Sequence, residues 1–537
     1  MLKSVCRFLP AIALAMTATQ AVRATVPPNV QLAADQILFR NYGSEAASLD
    51  PAMCETVQEA LVDADLYEGL TRTDSAGKIQ PGVAMSWERT DPTTWVFHLR
   101  HDAKWSNGAA VTAADFLYAW QREVDPKTAS VYTNLISFIG NAKAILAGTL
   151  PTSALAAKAL DPYTMQIKTI APIPFLPQML SNPVLAPEYR PAIEQWGTEW
   201  TKPGHLVGNG PYMLQSWVPN DKLVVVKNPL YWDAAHVTLA KVLWVPIDNN
   251  DTAVKQFESG QLDMTYELPP GSYAYLKAKY GAQVHIAPQS ANYFFALNVT
   301  DPVLKDVRVR KALSMVIDRD TLVKRILGDG EIPNADLMPF NVEGAAPVKR
   351  NWESWTMDKR AAVARQLLAD AGYNEQHPLK LKYSYNTSDI NKLVGLYVLS
   401  EWRNKLGIQG TMENQEWKVF TQTRHDGTYQ IARHGWEADY NDATSYLDLL
   451  RCGSDANDMK YCKREVDALI AAGSQETDDA KRTALLTQAD QTAMDDYPVV
   501  PLYQRVTARL VRWYVGGYTD LDPMDRLPSQ DLYIIKH

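Results

Sequence analysis

The stretch ARHGWEADYNDATSYL, from Ala432 to Leu447, sets Trp436 and Tyr440 four residues apart with Asp439 and Asp442 between and beside them. Two chemistries fit that spacing. One is a solvated surface turn; the other is a pocket in which a fixed negative charge, flanked by rings, waits for a positive ligand. Asp442, just ahead of ATSYLDLL, has the position of a helix cap, because a short acceptor side chain there satisfies a free amide of the first turn. Upstream stand Arg424, His425, Arg433 and His434. Histidines that follow arginines favour contact with an anion over a metal, and the planar fork of arginine suits a carboxylate. Either arginine could instead bridge strands.

No group of residues elsewhere is arranged for bond-making. G-x-S-x-G, H-E-x-x-H, a Walker-type glycine loop and G-x-G-x-x-G between strand and helix are all missing. The nine histidines are scattered without ligand spacing, and no carboxylate pair has the neighbours of a general acid and base. An exported enzyme acting on peptides is thereby left without a nucleophile or metal set, and no cofactor or metal is expected.

The N-terminus sets the compartment. Lys3 and Arg7 precede the apolar run FLPAIALAMTA, and Val22 and Ala24 occupy the small-residue positions before a cut at Thr25. Such a run is too short to cross a bilayer and reads as a secretory signal over residues 1–24. Cys6 lies ahead of the apolar core and cannot carry a lipid anchor, so a free periplasmic protein is expected. Loss of Lys3, Arg7 and Arg23 moves the net charge from −8 to −11, which argues against nucleic acid or anionic lipid as partner. A mature chain of roughly 510 residues exceeds what one core serves, so two or three lobes are expected. Cys452 and Cys462 enclose a short polar loop and are candidates for a disulfide worth about 2–3 kcal/mol. Cys54 is left over, buried and reduced.

These residues must be held by a mixed α and β framework. TTWVFHLR (93–100) alternates as a half-buried strand, and Asn107-Gly108 marks a turn. Thr112 should cap a helix presenting Phe116, Leu117, Trp120 and Val124 on one face. A long helical run is entered from Asp306, and another is stopped by Gly372. Strands alternating with helices predict α/β lobes with largely parallel sheets.

Several stretches together resemble one family. They are GSEAASLDP (43–51), DLYEGL (65–70), PGVAMSWE (81–88), WVFHLRHDAKWSNG (95–108), GNGPYML, NPLYWD, VRVRKALSMVIDR, NTSD, NQEWKVF, GWEADYND, VGGYTDLDPMD and the terminal LYIIKH. In this order they resemble the periplasmic oligopeptide-binding proteins, the substrate-capturing components of peptide ABC transporters, from about Asp35 to His537. The resemblance implies an α/β, three-lobed periplasmic binding fold with a hinge-closing cleft between lobes I and III. Lobe I would combine residues 25–67, 190–290 and 508–537; lobe II would span 68–189 and lobe III 291–507. The implied partners are short peptides, about two to five residues long, and an inner-membrane ABC permease. The chain itself would be a monomer.

By the same resemblance Asp439 would pair the peptide ammonium through charge-assisted hydrogen bonds. Arg433, Arg424 and His425 would meet the carboxylate, with Asn391 standing where relatives place a histidine. Glu55, Thr56 and Val57 on one side, and Gly435 with Glu437 on the other, would hold the ligand backbone as an added strand. Tyr132, Trp417, Trp436 and Phe294 would line side-chain pockets, Trp417 competing as plain core. Ala291 and Glu437 occupy the positions of a disulfide found in many relatives, and Glu437, if it faces inward, should favour cationic ligands. The murein tripeptide-binding branch also lacks that bridge, which makes murein tripeptide the alternative ligand.

Overall fold

The computed structural model describes residues 26–454 and 456–537, Lys418 by its backbone only; the signal over residues 1–24 lies outside them. Three sheets organise the chain. The first places Ile37–Asn41, Lys241–Val245, Lys222–Lys227 and Tyr212–Val218 side by side. The second runs Ala84–Asp91, Thr94–Leu99, Thr164–Lys168, Ala157–Asp161. The third has the order Ile332–Pro333, Val499–Leu510, Val284–Leu297, Ile431–Glu437, Lys380–Asn386, Gln409–Gln415.

The expectation of largely parallel sheets is overturned. Ile37–Asn41 runs parallel to Lys241–Val245, and Lys380–Asn386 to both its neighbours; the other pairs in these sheets are antiparallel. The cause is local. Tyr212–Val218 and Lys222–Lys227 are joined by a tight turn with Asn220 at φ +61°, and a hairpin of this kind needs no crossover helix.

Helix signals written in adjacent residues are obeyed. Thr112 and Asp115 form a reciprocal cap on Ala113–Glu123, whose Phe116, Trp120 and Val124 are fully buried. Met357–Asp370 stops before Gly372 at φ +94°. The long run from Asp306 breaks, however, into Val307–Met315 and a second helical segment from Arg319. Asp318 adopts extended backbone and accepts from the Thr321 amide, which starts a new helix instead of continuing the old one.

Each sheet buries its own core. Trp95, Phe97, Trp105 and Trp120 fill the second, Tyr42, Trp200 and Trp244 the first, and Phe295, Tyr383 and Trp402 the third. Val284–Leu297 and Val499–Leu510 cross between two of these bodies. At one end they pair with each other beside Thr265 and Leu268; at the other they enter the third sheet, and their register shifts between Pro288 and Asn292. The cystine Cys452–Cys462 forms with Cα atoms 4.6 Å apart, and Cys54 is buried and free.

Candidate functional site

The strand Ile431–Glu437 lies between Val284–Leu297 and Lys380–Asn386, but Lys380–Asn386 reaches only Ile431 and Ala432. From Arg433 onward one edge is therefore open. The Trp436 amide donates to the Asn292 side chain (3.0 Å) and the Ala438 amide to Ser290 C=O (3.0 Å), both toward Val284–Leu297. By strand alternation the backbone groups of Gly435 and Glu437 point to the open edge. The Gly435 amide meets His434 Nδ1 at 2.9 Å. Glycine is required at 435 because a Cβ there would stand 2.8 Å from the Asn292 carbonyl oxygen. Its close approach is thus to its own sheet.

Asp439 follows this strand at the seam with the second-sheet body. Its Oδ1 accepts from the Tyr132 hydroxyl at 3.0 Å, and Phe175 stacks on Tyr440 with centroids 4.3 Å apart. Burial raises the Asp439 pKa, an effect only partly offset by the Tyr132 hydrogen bond. No basic side chain among the described residues pairs with it. Asp442, by contrast, is saturated: it caps Thr444 at 2.9 Å and binds Arg482 at 2.8 Å, as a helix cap should.

The two arginines part company. Arg433 lies with its guanidinium 5.0 Å from the Tyr293 ring centre, has no carboxylate partner among the described residues, and lines a cavity of about 430 Å³. That cavity separates Glu267 to Tyr273 on the first-sheet side from Asn386, Asn391 and Glu331 on the third-sheet side, with Arg505 on the crossing strand. Asn391 is buried, accepts from the Tyr293 hydroxyl (2.9 Å) and donates to Asn386 (2.9 Å). Arg424 and His425 line a different cavity, of about 370 Å³, with Trp436. There Asp458 stands 3.5 Å from Arg424 and 3.1 Å from His434 Nε2. Burial lowers the pKa of His434, so the imidazole is neutral and donates from Nε2. Burial pushes Asp458 up, yet the His434 hydrogen bond and the Arg424 charge outweigh it and hold the carboxyl below its usual range. The anion expected at His434 is thus the protein's own Asp458.

Other expectations are corrected. Phe294 is completely buried, stacked on His434 with centroids 4.6 Å apart, and lies in the core. Trp417 is half exposed at the start of the Trp417–Asp426 helix, outside every core cluster and cavity described. Glu55 and Thr56 form the cap of the Val57–Leu66 helix: both amides donate to Glu59 Oε2, at 2.9 and 3.0 Å, and are not free for a ligand. The spacing Thr56-x-x-Glu59 carries that signature in the sequence. Glu437 is exposed and sits 3.3 Å from Arg505, directly across the ladder from Ala291. Asp458 was the residue sequence reasoning missed; its position in the loop closed by the cystine is the signal that marks it.

Residues 78–458 match the family described as bacterial extracellular solute-binding proteins, family 5 middle. The chain is 42% identical over 525 residues to the periplasmic oligopeptide-binding protein OppA of Salmonella typhimurium, covering 97% of each. The structure of Burkholderia pseudomallei OppA, 47% identical, superposes with a TM-score of 0.73 over 94% of this chain and 100% of that one. The unliganded open form of the murein tripeptide-binding protein MppA is only 37% identical but reaches 0.91 over 95% of this chain and 99% of that one. The chain belongs to the bacterial extracellular solute-binding proteins of family 5.

Proposed function

We propose that this protein is the periplasmic receptor of a peptide ABC importer and captures short peptides by their two charged ends and their backbone. One observation carries the reading. A half-buried carboxylate without a cation, Asp439, and a guanidinium without a carboxylate, Arg433, flank the strand edge from Arg433 to Glu437, along which no neighbouring strand pairs among the described residues. The two are six positions apart, roughly 20 Å of extended chain at about 3.3 Å per residue. Side chains reaching inward leave space for an extended ligand of a few residues. Its ammonium would replace the Tyr132 phenol at Asp439, its backbone would extend the sheet, and its carboxylate would meet Arg433. Arg424, already held by Asp458, is the weaker candidate.

The first-sheet, second-sheet and third-sheet bodies then serve as lobes I, II and III, and the crossing strands Val284–Leu297 and Val499–Leu510 act as the hinge. Ligand bridging Asp439, Arg433 and lobe I favours the closed form and shifts the population toward it. Closure gives the permease a shape to recognise. The murein tripeptide is the second reading, supported by the overlap with MppA. The test is mass spectrometry of what is released on denaturing protein purified from its periplasm without refolding. A mixed set of short peptides is expected. A single species containing diaminopimelate would instead establish the second reading, and absence of any peptide would overturn both.

A further inference from the structure

A third cavity, away from Asp439 and Arg433, lies where lobes I and II meet the C-terminal segment. Val57, Ala60, Leu61 and Ala64 present one face of the Val57–Leu66 helix to it, and Pro183, Pro211, Met524 and Pro528 complete an apolar wall. Two cations, Arg72 and Arg526, line the same space, together with the carboxylate of Glu68. Arg526 donates to Ser181 Oγ at 2.7 Å. Arg72 is the anomaly: its side chain is only 10% exposed, yet its Nε has no hydrogen-bond partner within the described protein and its one ion pair, with Glu68, is loose. The nearest carboxylate oxygen, Glu68 Oε1, is 3.9 Å away, beyond hydrogen-bond reach. Both Glu68 oxygens are already engaged, one by the Tyr231 hydroxyl and the other by the Trp232 indole at 2.6 Å. Asp531 also lies in the field of Arg72, but burial raises its pKa to about 6 and no ion pair joins the two.

A guanidinium offers five N–H donors in a fork matched to a carboxylate, and leaving a buried donor without an acceptor is costly. We propose that this cavity binds a carboxylate on a short aliphatic stem, its oxygens on Arg72 and Arg526 and its stem against the Val57–Ala64 face. Size limits the ligand. The space is about 90 Å³, below the roughly 150 Å³ that accommodates benzene, so a two- to four-carbon acid fits and a bulky anion does not. Two sources supply that chemistry: a free short-chain acid, or the side chain of a glutamyl residue entering past the half-exposed Val57.

The experiment uses the full mature chain, stripped of endogenous ligand, with propionate as the first probe at fixed pH and ionic strength. A saturable rise in Tm of about 2 °C or more is expected with propionate, none with propanol or chloride, and none in Arg72→Met. The second arm compares otherwise identical peptides carrying Glu or Gln by titration calorimetry. A Glu preference of about tenfold that vanishes in Arg72→Met, without a propionate effect, assigns the site to the ligand's own side chain. If Arg72→Met fails to fold, the propionate–propanol contrast in the unaltered protein decides. Neither effect, or an equal propionate effect in Arg72→Met, overturns the proposal. The peptide arm rests on the proposed function and the propionate arm does not, so the two failures are distinguishable.

Discussion

Asp439 is half-buried with a single phenol as partner, so an arriving ammonium gains more there than at the surface. Asp439→Asn should weaken peptide binding by about 2–5 kcal/mol in titration calorimetry while leaving the thermal stability of the free protein unchanged or slightly higher. The pH dependence has a definite sign. Since the carboxyl pKa is raised in the free protein, affinity should fall on acidification beginning above the ordinary carboxylate range, with a proton released on binding. Calorimetry in two buffers of different ionisation enthalpy reads that proton. Asp439 was legible as a charge set among rings because its neighbours adjoin it in sequence. Arg424 and Arg433 looked equivalent there, because what separates them is Asp458, whose contacts with His434 and Arg424 require the loop to fold back.

The loop between Cys452 and Cys462 is the element that performs this sorting. It carries Asp458, and its Asn457 ties the Arg451 and Tyr461 carbonyls together at 3.0 and 2.6 Å. Removing the cystine in a Cys452→Ala/Cys462→Ala variant should lower stability by about 2–3 kcal/mol, measured by denaturant titration. It should also free Arg424 and His434 from their shared carboxylate, seen by NMR as a further fall in the His434 pKa relative to the oxidised protein. At this scale the sequence was readable wherever the cause was local. Thr112 announces its helix by a capping box three residues long, and Gly372 ends another. Strand direction was not readable, because a β-strand's partner is chosen by residues far along the chain: Ile431–Glu437 pairs with Val284–Leu297 across a separation no periodicity encodes. The Asp318 break was written locally but hidden inside an apolar pattern of helical period.

At the scale of the whole molecule, the seam between the first-sheet and second-sheet bodies holds an excess of buried acid. Asp50 and Glu188 share Arg122, at 2.6 and 2.8 Å, while Glu123 has only Ser130 and Asp63 has no hydrogen-bond partner. Burial raises Glu123 to about 7 and holds Asp63 well above the usual carboxylate range. The folded state therefore retains protons that the unfolded chain gives up near pH 4, so this contribution is full below that value and is lost as pH rises toward 7 and beyond. Tm should be higher at about pH 5.5 than at about pH 8, and Asp63→Asn, which removes one of these protons from the balance, should shrink the difference. Calorimetric scans at both pH values check it; an unchanged difference in Asp63→Asn would count against the assignment.

The open edge from Arg433 to Glu437 has one more consequence. Unpaired strand edges ordinarily invite other sheets to join them, and proteins guard against this with charge, proline or a covering element. Here the guard is depth: Arg433 faces the cavity between the first-sheet and third-sheet bodies and Asp439 lies against the second-sheet body, so the edge is recessed among all three. A folded neighbour, whose own edge strand is backed by a sheet and flanking side chains, is too thick to enter. A lone extended chain is thin enough. The architecture thus filters by cross-section before any charge is read.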